Sequence, residues 1–203
     1  MRIETVEVGP LQVNCYLVWH EKSHDLVVID PGDDADLIVD LVRAGGLRPT
    51  AILLTHGHVD HIRGVGPLVR EWQVPVFIQL HDRDLYLSPE NALLPWLPAA
   101  RDLPEPVHAP PAHLKALMPE VIMTPGHTHG GVCFHFPWER VLFSGDTLFA
   151  GSIGRTDLPG GDSQTLLRSI RTQLMKLPGE TRVLPGHGPE TTIEREAHTN
   201  PYF

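Results

Sequence analysis

Cysteine is nearly missing from this chain of 203 residues: only Cys15 and Cys133 occur, too few for a disulfide framework. Positive charge is short as well, with 16 Lys and Arg against 25 Asp and Glu and a net charge of −9 at pH 7. Phosphate-rich partners need a positive field, so this balance argues against nucleic acid or an anionic membrane surface as the main partner. No apolar run approaches the ~20 residues of a membrane span. The opening segment, Met1-Arg-Ile-Glu-Thr-Val-Glu-Val-Gly9, alternates apolar and polar residues and has no unbroken apolar stretch of the signal-peptide kind. Sequence repeats are absent. The expectation is a cytoplasmic protein acting on a small molecule, with its oligomeric state unspecified. Its 41% apolar and 20% charged residues are ordinary for a globular domain.

What is plentiful is proline, at 20 residues, and histidine, at 13. A surplus of His with little Cys suggests imidazole ligation where position concentrates it. Short apolar stretches alternate with helical periodicity along the chain. Residues 3–8, 13–19 and 26–29 read as a meander of strands. Pro31-Gly32 ends the third strand, and Asp33-Asp34 offers a cap for a helix with Leu37, Ile38, Leu41 and Val42 on its apolar face. A buried strand follows at 51–55, one helix over about 62–72 and a strand at 76–78. Between 88 and 112, Pro89, Pro95, Pro98, Pro104, Pro106, Pro110 and Pro111 exclude regular structure, while Leu93, Leu94, Trp96 and Leu97 call for burial. The second half repeats the theme with strands near 121–123, 132–136, 141–143 and 182–184. A helix is expected over 163–177 and another from about Thr192.

The densest chemical signal is Thr55-His56-Gly57-His58-Val59-Asp60-His61, placed directly after a buried strand. Three His and one Asp at the mouth of a strand can turn toward one point. Four groups exceed the three protein ligands usual for one catalytic zinc, so they read as parts of two adjacent metal sites. Three further strands end in the same way: Val121–Met123 leads to Pro125-Gly-His127, Val141–Phe143 to Ser144-Gly-Asp146, and Val183-Leu184 to Pro185-Gly-His187. Each is an apolar strand, a glycine turn and one ligand-type residue.

With Val28-Ile-Asp30-Pro-Gly32 and Gly154-Arg-Thr-Asp-Leu-Pro-Gly-Gly-Asp162, these segments resemble the metallo-β-lactamase superfamily and, within it, the short glyoxalase II-like hydrolases. The resemblance implies an α/β (α+β) fold, the four-layer αββα sandwich, built as a single domain over 1–203 without the C-terminal glutathione-binding helical domain of longer relatives. It implies two divalent metal ions, zinc first, with iron or manganese as alternatives. His56, His58 and His127 would hold one ion, Asp60, His61 and His187 the other, and Asp146 would bridge them. Two ions sharing a water bring its pKa toward ~7. The implied reaction is therefore attack of a metal-bridging hydroxide on a thioester such as S-lactoylglutathione or a related hydroxyacyl thioester, with Asp60 and Asp146 catalytic. A Cys is common at the Asp146 position in members that hydrolyse β-lactams, so Asp disfavours that activity.

Asp30 is either a carboxylate that fixes the metal-binding loop or a helix cap. Arg155 is either a substrate-binding cation or the partner of Asp157 in a structural salt bridge. The persulfide dioxygenases, with a single iron on two His and one Asp, share much of this motif set and are the competing reading. His129 is either an extra ligand or a solvent-facing group near the metals, the other histidines read as surface or structural groups, and both cysteines as buried apolar residues.

Overall fold

Apolar and polar residues alternate along the first strand, while the two that follow are short apolar runs buried almost throughout. The computed structural model describes all residues 1–203, which divide into two units, Met1–Met118 and Pro119–Phe203. In the first unit, β1 (Arg2–Val8), β2 (Val13–Trp19) and β3 (Asp25–Ile29) pair antiparallel. Helix α1 (Ala35–Ala44) then returns the chain to β4 (Arg48–Leu53), which lies parallel to β3. Helices α2 (Val59–Ile62) and α3 (Val65–Trp72) lead to β5 (Val76–Phe77), parallel to β4, and a short α4 (Arg83–Leu87) follows. The strand order is β1-β2-β3-β4-β5. Ile38 and Val42, four residues apart on α1, and Leu68 of α3 join Cys15, Leu17, Val28 and Ile52 in one buried cluster. Each such side chain contributes about 1.5–3 kcal/mol on leaving water.

Three local features differ from what the sequence predicts. Asp34 precedes α1 but does not cap it, because its carboxylate accepts the Gly9 N–H at 2.8 Å, 25 residues away in sequence. The expected single helix over 62–72 is two, since the chain turns at Gly64, whose N–H goes to the Pro31 carbonyl at 2.9 Å. In the proline-rich stretch, Leu93 and Leu97 are buried as expected, but Leu94 and Trp96 are exposed. The reason is a tight turn in which Leu93 and Leu97 bridge one another and the residues between them point outward. Buried Asn91 closes that loop, exchanging hydrogen bonds with Ala100.

The second unit also has a five-stranded sheet, ordered β12-β11-β8-β7-β6. Its strands are β6 (Glu120–Met123), β7 (Val132–Phe136), β8 (Val141–Gly145), β11 (Arg182–Pro185) and β12 (Thr191–Thr192). A small hairpin of β9 (Leu148–Phe149) and β10 (Ser152–Ile153), not anticipated from the sequence, stands apart from this sheet. Helix α5 (Ser163–Gln173) is capped by Asp162, whose carboxylate accepts the Thr165 N–H at 2.6 Å, and it tightens into a 3₁₀ turn before Leu177. Helix α6 (Ile193–Thr199) closes the chain. Leu166, Ile170 and Leu174 pack with Cys133, Leu142 and Val183.

Candidate metal centre

Strand direction decides where the ligand-type residues fall. In the first unit β3 and β4 are parallel with Ile29 opposite Leu53, so Asp30 and the segment Thr55–His61 leave the sheet at the same end. In the second unit β6 and β8 both run antiparallel to β7, and β11 runs parallel to β8 with Leu184 opposite Phe143. The segments leading to His127, Asp146 and His187 therefore also share one strand end. Side chains at the carboxyl ends of strands are free of ladder hydrogen bonds and open to ligands, which is where open sheets bind.

Within the first unit, His56, His58, Asp60 and His61 are all buried. The rings of His56 and His61 lie 4.2 Å apart and those of His56 and His58 4.9 Å. Buried Asp30 organises them. It accepts the Thr55 N–H at 2.8 Å, the Thr55 hydroxyl at 2.6 Å and His61 Nδ1 at 2.9 Å. A carboxylate only accepts, so His61 carries its proton on Nδ1 and offers Nε2 as a lone pair. Because the Thr55 hydroxyl gives its proton to Asp30, its oxygen accepts from His56 Nδ1, 3.1 Å away, which leaves His56 Nε2 as a lone pair too. Asp30 thus does not cap α1; one carboxylate fixes the tautomers of two imidazoles. A further buried carboxylate, Asp82, accepts the Gly57 N–H at 3.0 Å and holds the turn between His56 and His58. Sequence reasoning missed Asp82, since nothing in the polar run His81–Asp84 distinguishes it. Gly32 is required by close approach: a Cβ there would stand 1.7 Å from the Asp60 carbonyl oxygen.

Within the second unit, His127 Nδ1 donates to the Arg155 carbonyl at 2.7 Å, again directing Nε2 elsewhere. Asp146 Oδ2 stands 3.7 Å from His127 Nε2 and 3.8 Å from His187 Nε2. Phe149 packs against the His187 ring at a centroid distance of 6.3 Å, a neighbour the sequence did not reveal. Gly154 must lack a Cβ, which would lie 1.8 Å from the Asp146 carbonyl oxygen.

Spacing tests whether these donors suit a metal. Direct N–H···O bonds need about 2.7–3.2 Å, whereas two donors bound to one ion at about 2.0–2.2 Å stand some 3–4 Å apart. The pairs His127–Asp146, His187–Asp146 and His61–Asp60 lie at 3.7, 3.8 and 3.8 Å, in the second range. Buried imidazoles with fixed Nε2 lone pairs beside carboxylates are the donor chemistry of zinc, iron or manganese.

Arg155 and Asp157 form a two-point ion pair, Nε to Oδ1 at 2.8 Å and Nη2 to Oδ2 at 2.7 Å. Hydrogen bonding to the guanidinium holds the Asp157 carboxyl down at about 2. His129 is exposed and faces Gly160, where a Cβ would meet its ring at 3.3 Å. His108, His113 and His198 bond backbone carbonyls, and His135 pairs with Glu120. Cys15 and Cys133 are buried thiols, and burial, then the nearby Asp30 charge, pushes the Cys15 thiol up. No helix is long and apolar enough to cross a membrane.

The chain belongs to the metallo-beta-lactamase superfamily, whose pattern residues 8–187 match, and it has that fold, of the α+β class. At this level it is a metallo-hydrolase of the superfamily. Two relatives align with all of this chain and 98% of their own: a probable metallo-hydrolase, YqgX, of Bacillus subtilis, 35% identical over 213 residues, and the hydroxyacylglutathione hydrolase GloC of Haemophilus influenzae, 35% identical over 210. Among solved structures, TTHA1623 in a di-iron-bound form is 44% identical with a TM-score of 0.89, over 98% of this chain and 100% of that one. The B3 metallo-beta-lactamase BLEG-1 is 34% identical at a TM-score of 0.87, over 99% of each chain. ETHE1 from Myxococcus xanthus is 28% identical at 0.79, over 99% of this chain and 84% of that one.

Proposed function

We propose that this protein is a dinuclear metal-dependent thioester hydrolase of the glyoxalase II type, acting on S-lactoylglutathione or a related hydroxyacyl thioester. One observation carries the two-ion part of this reading: a single oxygen, Asp146 Oδ2, lies at ligand-to-ligand rather than hydrogen-bonding distance from both His127 Nε2 and His187 Nε2, where it would serve both ions. His56, His58 and His127 would hold one ion, and Asp60, His61 and His187 the second. Zinc is the first candidate, and the di-iron-bound form of TTHA1623 makes iron the next. The ions, when bound, supply hydroxide at neutral pH and a Lewis acid for the acyl oxygen.

The chain's own groups prepare that chemistry. Asp30 and the Arg155 carbonyl keep His61 and His127 in the ligating tautomer. Asp60 presents a carboxylate oxygen that orients the attacking water and receives its proton. As the water oxygen adds to the acyl carbon and the C–S bond breaks, the sulfur leaves as a thiolate, a good leaving group because free thiols have pKa values near 8.5. Arg155 is the cation for an anionic carrier, and engaging one means sharing or breaking its pair with Asp157. Buried thiols without a disulfide agree with a cytoplasmic setting.

The sequence Gly154-Arg-Thr-Asp157, shared with persulfide dioxygenases, favours oxygenation of a persulfide as the second reading. The test compares chelator-sensitive hydrolysis of S-lactoylglutathione, oxygen uptake with glutathione persulfide and hydrolysis of a β-lactam by one metal-loaded preparation. Thioester turnover alone supports the proposal. Persulfide-dependent oxygen uptake without thioester hydrolysis replaces it with the second reading, and β-lactam turnover alone rejects both.

A further inference from the structure

Helix α6 carries a fully buried acid, Glu196, that none of the proposed chemistry uses. Its Oε2 accepts the Gly151 N–H at 2.8 Å and Asn200 Nδ2 at 2.8 Å, and its Oε1 accepts the Thr191 hydroxyl. The same Asn200 amide also reaches the Ser152 carbonyl at 3.1 Å. Gly151 lies in the turn of the β9–β10 hairpin and Ser152 opens β10, so a buried carboxylate and its neighbour fasten the tip end of the hairpin to the last helix at two points.

The hairpin and the residues that flank it connect to each ligand-type residue of the second unit. Asp146 lies two residues before β9, and Arg155, two residues after β10, gives its carbonyl to His127 Nδ1. Phe149, on β9, packs on the His187 ring. Two strands of two residues each are too short to hold a register alone, so the position of the tip depends on outside anchors.

We propose that Glu196 is a positioning residue of the metal centre: by fastening the hairpin tip to α6 it sets the spacing of His127, Asp146 and His187. This rests on the metal reading above. The tie to the hairpin needs one acceptor oxygen, the one that takes the Gly151 and Asn200 protons, and glutamine supplies it. Its carbonyl in place of Oε2 keeps the Gly151 and Asn200 bonds, while its amide in place of Oε1 donates to Thr191, whose hydroxyl accepts by rotating. Glu196→Gln therefore preserves the device and Glu196→Ala removes it.

The experiment titrates the wild-type apoprotein and both variants with zinc in competition with a chromophoric chelator, and follows amide exchange of the β9–β10 pair. Expected are an affinity about tenfold weaker for Glu196→Ala, the lower end of losses for residues supporting metal ligands, wild-type affinity for Glu196→Gln, and faster hairpin exchange in the alanine variant alone. Ile170→Val, which loosens the core of the same unit, should leave zinc affinity unchanged. Should Glu196→Ala not fold, Asn200→Ala removes the tie to Ser152 and takes its place. A folded alanine variant that binds zinc as the wild type does, or a glutamine variant as weak as alanine, overturns the inference. A wild-type protein that binds no zinc overturns the metal reading instead.

Discussion

Replacing Asp30 by Asn separates the fold from the metal centre. The position has a φ of +50°, which asparagine tolerates nearly as well as any residue except glycine. The side chains are isosteric, so no cavity forms. What changes is the direction of the protons. With its carbonyl on the Thr55 N–H, the new amide presents N–H groups where Oδ2 accepted from the Thr55 hydroxyl and His61 Nδ1. His61 then moves its proton to Nε2. The Thr55 hydroxyl, now accepting from Asn, turns its own proton toward His56 Nδ1 and sends that ring to the same tautomer. Without metal both rings adapt, and stability changes little. Binding metal forces both protons back against donors, and each buried donor left facing a donor costs about 1–3 kcal/mol. At 1.4 kcal/mol per tenfold, His61 alone accounts for a loss of roughly 5–150-fold, consistent with the 10–100-fold typical of removing a carboxylate behind a ligating His. The assay is competitive zinc titration alongside thermal unfolding of the metal-free protein, with ¹⁵N shifts of the imidazoles as a direct reading of the tautomers. An Asp30→Asn protein that unfolds at the wild-type temperature and binds zinc with wild-type affinity would show that Asp30 does not set the imidazole tautomers.

Asp146→Ala should remove the bridging oxygen and lower both metal content and turnover by at least an order of magnitude; full metal occupancy at full rate contradicts the bridging role. Gly154→Ala drives a methyl into the Asp146 carbonyl, an overpacking worth about 1–3 kcal/mol and a fall in Tm of roughly 2–12 °C, read by calorimetry; an unchanged Tm counts against the close approach. Asp157 titrates at about 2 in the folded protein, below the ~3.9 of an unfolded chain. Its pair with Arg155 therefore contributes fully above pH ~4 and is lost as the pH falls through about 2. The Tm difference between wild type and Asp157→Asn should be small, constant above pH ~4, and vanish toward pH 2; a difference that grows on acidification has the wrong sign.

The legible parts of this chain were those whose chemistry is local. His56 to His61 occupy six consecutive positions after an apolar strand, and the turns at His127, Asp146 and His187 each repeat an apolar strand followed by glycine, so residue type and place agreed without tertiary knowledge. The meander of β1 to β3 was equally open, because an alternating segment and two short apolar runs are separated by turn residues such as Gly9-Pro10 and Lys22-Ser23. What stayed hidden depends on distant pairing. Asp34 has the chemistry of a cap, yet Gly9 competes for its carboxylate. Gly64 breaks a helix because the Pro31 carbonyl waits for its N–H. Asp82 and Glu196 sit in ordinary polar surroundings in sequence, and only folding brings them to the Gly57 and Gly151 amides. Leu94 and Trp96 looked like core because apolarity is visible in a sequence while the direction of a turn is not.

Two metal ions, held by these histidines and aspartates, are proposed to hydrolyse a thioester. Zinc is added stepwise to the apoprotein while S-lactoylglutathione hydrolysis and bound metal are recorded in the same sample. Little turnover is expected at one equivalent, with a rise that saturates at two. Activity complete at one equivalent, or absent with both ions bound, would contradict the proposal.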